Sequence, residues 1–543
     1  MRSGQPNQIT AHIRPALHLI ARLMAKFHDL FVSFYVARHL ISQAENYVTT
    51  YHPGVCLRVR ITSSFDSTPK NILKVHERAI EVNGSSRPDE VNSCEQMELH
   101  EDSRSDTEDT EARVLEQAAG MPFLEGILCL EREFGPWIAE QLLKGNMEIN
   151  GMMVEAPSHI IEDFVNSGVA LANEKYHKLP ISYFWTSSVA SFTSNKCGTG
   201  SRLHNVLVSM SSQEPKKYLQ EVLAEVVLTP GLPRHYEYEQ VAQDTGDLLP
   251  GHILSHKRWD CLRKHTDRVV FASLYEMESI AVEACASAFP KKLASFCTGL
   301  AADLPSPTAG QLDLDASNPV IGFMNHAYTE LGLHSVIYIG FGSSAFPPAE
   351  SAPYLKVLIE EILAYGFRIV VSASLHHRRK ALLNEEYTEE LERGGYALFA
   401  EWVEQLEVLE HPALHYFLSH GGWNSITEAI VRGVPMIIWP ISADQPINAT
   451  YMSKKHDCCF ELLQVRTGTA KSVAYSDQGD IQIVGSTEAV RKEIRTVLAL
   501  SKSERGVQQR QTMKALRNVA MNAIEAGGSG DLALERFGKT IGL

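Results

Sequence analysis

An α/β architecture of two doubly wound parallel sheets is predicted for this 543-residue chain. Three observations predict it. Helical and strand patterns alternate over most of the length, as they do where βαβ units bury a parallel sheet beneath helices. The apolar runs are too short for ordinary helices and rich in β-branched and aromatic residues, as strands buried on both faces are. The chain also exceeds what one core normally organises, so two large domains are expected.

The elements follow in order. Leu17, Ile20, Ala21, Met24 and Phe27 keep helical spacing between Pro15 and Leu30, and Pro15 suits a first helical turn. LFVSFYVA (30–37) then reads as a strand, as do HIIED (159–163), ISYFW (181–185) and RVVFAS (268–273). The stretch GLAADLPSPTAGQLDLDASNP (299–319) breaks the rhythm with Pro, Gly, Ser and Asp and reads as a linker between domains. Beyond it SVIYIGFGS (335–343), FRIVVSAS (367–374), HYFLSH (415–420) and VPMIIWP (434–440) are strands, and WNSITEAIVRG (423–433) is a helix ending at Gly433. The predicted organisation is an N-terminal domain over 1–298, a linker over 299–332, a C-terminal domain over 333–505 and a final segment over 506–543.

Composition narrows the function. With 44% hydrophobic and 21% charged residues, the chain has ordinary globular usage, and no apolar run approaches the length of a membrane span. The start, MRSGQPNQIT, lacks the apolar core of a secretory signal, and nine cysteines are scattered without disulfide-like or metal-like spacing, so a cytoplasmic location is expected. A net charge of −15 argues against a nucleic-acid partner, which would call for basic surface. Much of that charge sits in residues 87–113, where ten acids face three basic residues; the region 84–113 is expected to be a disordered insertion. The basic run from His376 to Lys380 is expected to be an exposed loop.

The densest chemistry lies after residue 400. A strand that feeds a helix through Gly421 and Gly422 lets backbone approach a ligand, and the free amides and dipole at the helix start favour an anion. Asn424, Ser425 and His420 add side-chain donors for a phosphate. Glu428, one turn further on, can accept from two neighbouring hydroxyls, as the acid of a dinucleotide fold does with a ribose. Trp402 offers a flat face for a base and Gln405 an amide that donates and accepts. Asp444 and Gln445 follow a strand, at the edge where a parallel sheet meets its ligand, and suit a polyol. Together these groups could read base, ribose, pyrophosphate and sugar.

Trp402, Gln405, the His411-Pro412 pair, HGGWNSITE (420–428), GVP (433–435) and Asp444-Gln445 resemble the donor-binding signature of the family 1 UDP-glycosyltransferases. The resemblance implies the GT-B architecture, with a UDP-sugar held by the C-terminal domain and a small-molecule acceptor by the N-terminal one. It implies that Trp402, with Val403 beside it, stacks on uracil, and that His420, Gly421, Gly422, Trp423, Asn424 and Ser425 surround the pyrophosphate. Glu428 would bind ribose, and Asp444 and Gln445 the sugar, with Gln445 typical of glucose donors. Gly342 and Ser343 in the FGS turn would touch a phosphate, and YEME (275–278), PGLP (230–233) and GGSG (527–530) are also similar to family segments. The final segment would pack back onto the first domain. Glu404 stands where many plant members have proline, with little expected consequence.

Sugar transfer to an alcohol needs a base, and a neutral histidine is the natural candidate. His12 is expected just before the helix that Pro15 opens, where the positive helix end would disfavour imidazolium. Asp163, at the end of its strand, resembles the aspartate that orients the family's histidine, and Thr186 would help hold the sugar. The resemblance implies one inverting displacement with no cofactor and no metal. The family's first strand has no clear counterpart in MRSGQPNQITA, since a proline suits a central strand poorly; either the chain is incomplete or altered there, or its N-terminal sheet is compromised.

Simpler readings exist for each residue. His12 could be a cap, Asp163 a helix N-cap and Trp402 part of a core. His411, His415 and His420 lack a zinc-binding spacing, the terminal Gly-Lys-Thr lacks the first glycine of a phosphate loop, and no Gly-x-Ser-x-Gly occurs. The function expected is transfer of glucose from a UDP-sugar to a lipophilic hydroxyl compound. The alternatives are a nucleotide-sugar-binding protein whose catalysis the altered N-terminus has removed, and a sugar-nucleotide isomerase or hydrolase of the same architecture.

Overall fold

The computed structural model describes residues 10–63, 122–195, 225–243, 265–287, 293–307, 309–312, 317–342, 346–348, 350–373, 383–470 and 472–543. The acidic stretch 84–113, Ser343 and the basic run 376–380 lie outside the described residues.

Among the described residues, six parallel strands build the C-terminal sheet, and helices cover both of its faces. The reason is legible in the strand Val336–Gly340, where every residue is buried and successive side chains face opposite ways. Val336 and Tyr338 enter one core, beneath helices that include Trp423–Arg432; Ile337 and Ile339 enter the other, beneath Pro353–Ala364 and Thr487–Ser501. In chain order the strands are Val336–Gly340, Arg368–Ser372, Ala397–Ala400, Leu414–Ser419, Met436–Ile438 and Cys459–Glu461, and their order across the sheet is 3-2-1-4-5-6. Strand order therefore reverses between Val336–Gly340 and Leu414–Ser419, and at such a switch point the loops beyond the carboxyl ends part to form a ligand crevice. Gly342 lies beyond the first of these strands, and His420 follows the second.

Among the described residues the N-terminal strands fall into two pieces. Ile160–Asp163, Ile181–Trp185, Arg268–Phe271 and Ala294–Cys297 form a four-stranded parallel sheet in that order, while Val32–Tyr35 pairs in parallel with Val59–Thr62. No described strand joins the two pieces. Helix α1, Thr10–Lys26, packs against both: Ile13, Leu17 and Met24 on the two-stranded piece, Leu19 and Leu23 against Phe184, Val270 and Phe296 of the larger one. The segment read as a compromised first strand, residues 1–9, lies outside the described residues. A smaller expectation fails: α1 begins at Thr10, so Pro15 sits inside the helix and His12 in its first turn rather than before it. Burial of Ile13 in the continuing apolar stripe extends the helix past the point where proline alone would start one.

The region read as a linker, 299–332, holds the helix Pro319–Leu331, started by Asn318, whose side chain accepts from Val320 N at 3.0 Å. This helix packs into the C-terminal core through Val320, Ile321, Met324 and Ala327. At the end of the chain, α2 (Ser529–Thr540) lies against Ala294–Cys297 and α1, with Phe537 and Phe296 5.4 Å apart and Lys26 2.9 Å from Asp531. The helix before it, Glu504–Ile524, packs on Trp423–Arg432, so the terminal segment touches both domains.

Candidate donor and acceptor site

The phosphate end of the site is shaped by two glycines. Gly421 has φ of +83°, a conformation that L side chains avoid, and a Cβ there would lie 2.7 Å from Ile438 Cγ2. At Gly422, the N-cap of helix Trp423–Arg432, a Cβ would lie 2.4 Å from His420 Nε2. Only glycine lets the chain turn into the helix beside the His420 ring and leave the first amides open to a ligand. Burial pushes the His420 pKa down to about 4, against a smaller opposing effect from a hydrogen bond to the Gly340 backbone, so the ring is neutral and its single N–H faces that carbonyl.

Asn424 and Ser425 stand in the first turn of that helix, as the sequence reading requires. Trp423 does not open to a ligand through its side chain. Its indole is 3% exposed and donates to Ala272 O of the N-terminal domain at 2.9 Å, so it joins the domains and leaves only its backbone at the site. Val403 is likewise buried, whereas Trp402 is 51% exposed and free to stack. Glu404 accepts from Trp402 Nε1 at 3.1 Å in an exposed contact.

Glu428 is more occupied than its sequence position suggests. Gln405 Nε2 donates to its Oε2 at 2.6 Å, while Gln405 Oε1 accepts from Tyr338 OH at 3.2 Å. Arg14 Nη1, from α1 of the opposite domain, donates to Glu428 Oε1 at 2.5 Å. The sequence reading missed Arg14, and had no signal for it, because its partner lies 414 residues away. Gln445 also has less freedom than expected: Oε1 accepts from Ile441 N and Ser442 N at 3.0 and 2.9 Å, leaving its Nε2 to face a ligand. Asp444 accepts from Asn448 Nδ2 at 2.8 Å and from Ser187 Oγ across the interface.

On the N-terminal side, His12 Nδ1 lies 3.1 and 3.2 Å from the two carboxylate oxygens of Asp163. Asp163 Oδ1 also accepts from Val165 N at 2.9 Å, so the residue is both a helix N-cap and the partner of His12. Thr186 Oγ1 sits 3.4 Å from the same ring nitrogen, and Phe164 packs on the ring with centroids 5.3 Å apart. Burial is the largest influence on the imidazole and pulls its pKa down, but attraction to Asp163, the hydrogen bond to it, and the more distant Asp444 together raise it above the usual 6.5. The helix start therefore does not set the protonation of His12 as the sequence suggested; the neighbouring acids do. Nδ1 is held by Asp163 and Nε2 is the nitrogen that can accept a proton.

The motif glycines, acids and turns have local reasons. Glu278, the last residue of YEME, accepts from Val189 N and Ala190 N, both at 2.9 Å, and so starts the helix that follows Thr186. Leu232 of PGLP is buried in the core shared with the C-terminal domain. Gly528 of GGSG is the N-cap of α2. His411 and His415 are engaged with Asn325 and Ser501, at 3.1 and 2.9 Å.

Residues 329–475 match the family model described as UDP-glucoronosyl and UDP-glucosyl transferase. UDP-glycosyltransferase 74C1 of Arabidopsis thaliana is 33% identical over 203 residues, 37% of this chain and 39% of that protein. Nuatigenin 3-beta-glucosyltransferase of Solanum aculeatissimum is 28% identical over 60% of this chain and 65% of that protein. The chain thus spans less than two thirds of the length of these curated relatives. Among solved structures, Medicago truncatula UGT71G1 complexed with UDP-glucose superposes with a TM-score of 0.65 at 17% identity, covering 99% of this chain and 96% of that one. A UDP-glucosyltransferase from Polygonum tinctorium superposes with a TM-score of 0.62 at 18% identity, covering 98% and 96% of the two chains. The donor signature, the switch-point geometry and these likenesses agree: residues 329–475 carry the match to the UDP-glucoronosyl and UDP-glucosyl transferase model, and the chain has the two-domain fold of these solved glycosyltransferases.

Proposed function

We propose that this chain is an inverting UDP-glycosyltransferase that moves a sugar, glucose by the Gln445 signature, from a UDP-sugar to a hydroxyl of a small lipophilic acceptor. The observation that carries the reading is the His12–Asp163 pair, 3.1 Å apart, set on the acceptor side of a site whose other wall carries His420, Glu428 and Asp444. In the proposed step, His12 Nε2 takes the acceptor hydroxyl proton as that oxygen bonds to the anomeric carbon. The bond from that carbon to the diphosphate oxygen breaks, and UDP leaves with its electron pair. Asp163 stabilises the imidazolium that forms. Open amides at the start of helix Trp423–Arg432, beside the neutral His420 ring, meet the charge on the leaving diphosphate, so the reading calls for neither metal nor cofactor.

Trp402 is assigned to the base, Glu428 and Gln405 to the ribose, Gly342, Ser343, Gly421, Gly422, Asn424 and Ser425 to the phosphates, and Asp444, Gln445 and Thr186 to the sugar. The relatives support a glucose donor: one is named as a glucosyltransferase and one structure holds UDP-glucose. A cytoplasmic location fits the free thiols of Cys56, Cys285, Cys297, Cys458 and Cys459; no described helix is long and apolar enough to cross a membrane. A net charge of −15 fits a small-molecule partner rather than a nucleic acid.

The competing reading is donor binding without turnover. A screen of UDP-sugars against phenols, sterols and other alcohols, with product detection by mass, separates the two. The first reading expects glycoside from the wild-type chain and its loss in His12→Ala. Equal activity in both would remove His12 as base, and UDP binding without any product would favour the second reading.

A further inference from the structure

The proposed ribose-binding acid is held from the opposite domain. Arg14 Nη1 donates to Glu428 Oε1 at 2.5 Å, Arg14 Nη2 lies 2.7 Å from Asp303 Oδ2, and Arg14 Nε donates to Tyr47 OH at 3.2 Å. Tyr47 OH in turn donates to Asp303 Oδ1 at 2.8 Å. Four segments meet here: α1, the helix Ile41–Val48, the connection between the domains, and the helix that carries Glu428. Glu428 is nearly buried, so a charge there requires compensation, and the guanidinium supplies it. A carboxylate offers about four acceptor positions, and Arg14 and Gln405 take one on each oxygen. One position per oxygen remains, enough for the two hydroxyls of a vicinal diol.

We propose that Arg14 is a positioning residue for the donor: it fixes Glu428 to receive the ribose hydroxyls and, through Asp303, couples donor binding to the closure of the two domains. The proposal rests on the assignment of Glu428 to ribose. The alternative geometry, in which Arg14 masks Glu428 and the nucleotide must displace it, predicts the opposite sign and is an outcome of the same test. Lysine can replace arginine only in part here, because a compact ammonium lacks the planar fork whose three nitrogens face Glu428, Asp303 and Tyr47 together.

The test is calorimetric titration with UDP and 2′-deoxy-UDP of the wild-type chain, Arg14→Ala, Arg14→Lys, Glu428→Ala and the Arg14→Ala/Glu428→Ala double variant. Wild type is expected to prefer UDP by roughly tenfold or more, the loss of one hydrogen bond to a charged group. Arg14→Ala should weaken UDP by about tenfold and shrink that preference, Arg14→Lys should do so partially, and the double variant should bind no more weakly than Glu428→Ala alone. In turnover, the donor KM should rise by more than kcat falls. If Arg14→Ala does not fold, the reduced preference in Arg14→Lys carries the test. Unchanged preference in both Arg14 variants, or tighter UDP binding by either, overturns the positioning role while leaving the donor site standing. A wild-type chain that binds no UDP, or binds both nucleotides equally, overturns the ribose assignment and this proposal together.

Discussion

Replacement of Asp163 by asparagine separates the two duties of that residue. Asp163 Oδ1 accepts from Val165 N at 2.9 Å and its carboxylate faces His12 Nδ1 at 3.1–3.2 Å. Asparagine has one oxygen. Placed on Val165 N it preserves the cap, and its NH2 group then points at Nδ1, which must become an acceptor. The imidazole proton moves to Nε2, where the acceptor hydroxyl needs a lone pair. Stability should change little, because asparagine caps as well as aspartate, whereas Asp163→Ala should cost about 1 kcal/mol. The rate should fall far more. General-base catalysis contributes about 10²–10⁴-fold, so kcat should drop by that factor, equivalent to about 3–5 kcal/mol of barrier. The assay is single-turnover glycoside formation under saturating UDP-glucose, alongside thermal melting and UDP titration. Asp163→Asn should melt and bind UDP like wild type and turn over at least a hundredfold more slowly, on that same scale. A folded, UDP-binding Asp163→Asn with kcat within about threefold of wild type, far inside the general-base range, would refute the base assignment.

Further outcomes follow from the same geometry. His12 must be neutral to act, and its pKa lies above 6.5, so kcat/KM should fall on the acid side through a midpoint above pH 6.5; Asp163→Asn should move any residual acid limb to lower pH. The raised pKa also gives the fold stability that is fully present below pH 6.5 and is lost as pH rises through the folded-state value, which melting of wild type against His12→Ala would detect as a difference shrinking toward alkaline pH. Trp402→Ala should leave the melting temperature nearly unchanged, since the ring is 51% exposed, yet weaken UDP binding by about 1–3 kcal/mol through lost stacking. Gly421→Ala should destabilise by at least about 1–2 kcal/mol from its left-handed backbone alone, with the contact to Ile438 adding to it, read as a lower urea midpoint.

The C-terminal half was the more legible in sequence because its strands are buried on both faces and its site is local. HYFLSH, the glycine pair and the helix ending at Gly433 fall within a residue of their observed limits, with Gly433 in the left-handed cap conformation. Strands such as ALFA (397–400) and CFE (459–461) went unread because so few residues carry no distinguishable period. ASFC (294–297) was missed for the same reason. Side-chain direction was beyond reach: Trp423 looked like a ligand contact from its place in the motif, and only tertiary packing turns it toward Ala272. The protonation of His12 and the Arg14–Glu428 pair depend on groups distant in the chain, for which periodicity and spacing carry no information.

The most direct measurement is a crystal structure of the chain with UDP bound. The account predicts the diphosphate against the amides that open helix Trp423–Arg432 and beside His420, uracil on the exposed face of Trp402, and the ribose hydroxyls on Glu428 with Arg14 still paired to it. UDP bound elsewhere, or a ribose that leaves Glu428 untouched, would contradict it.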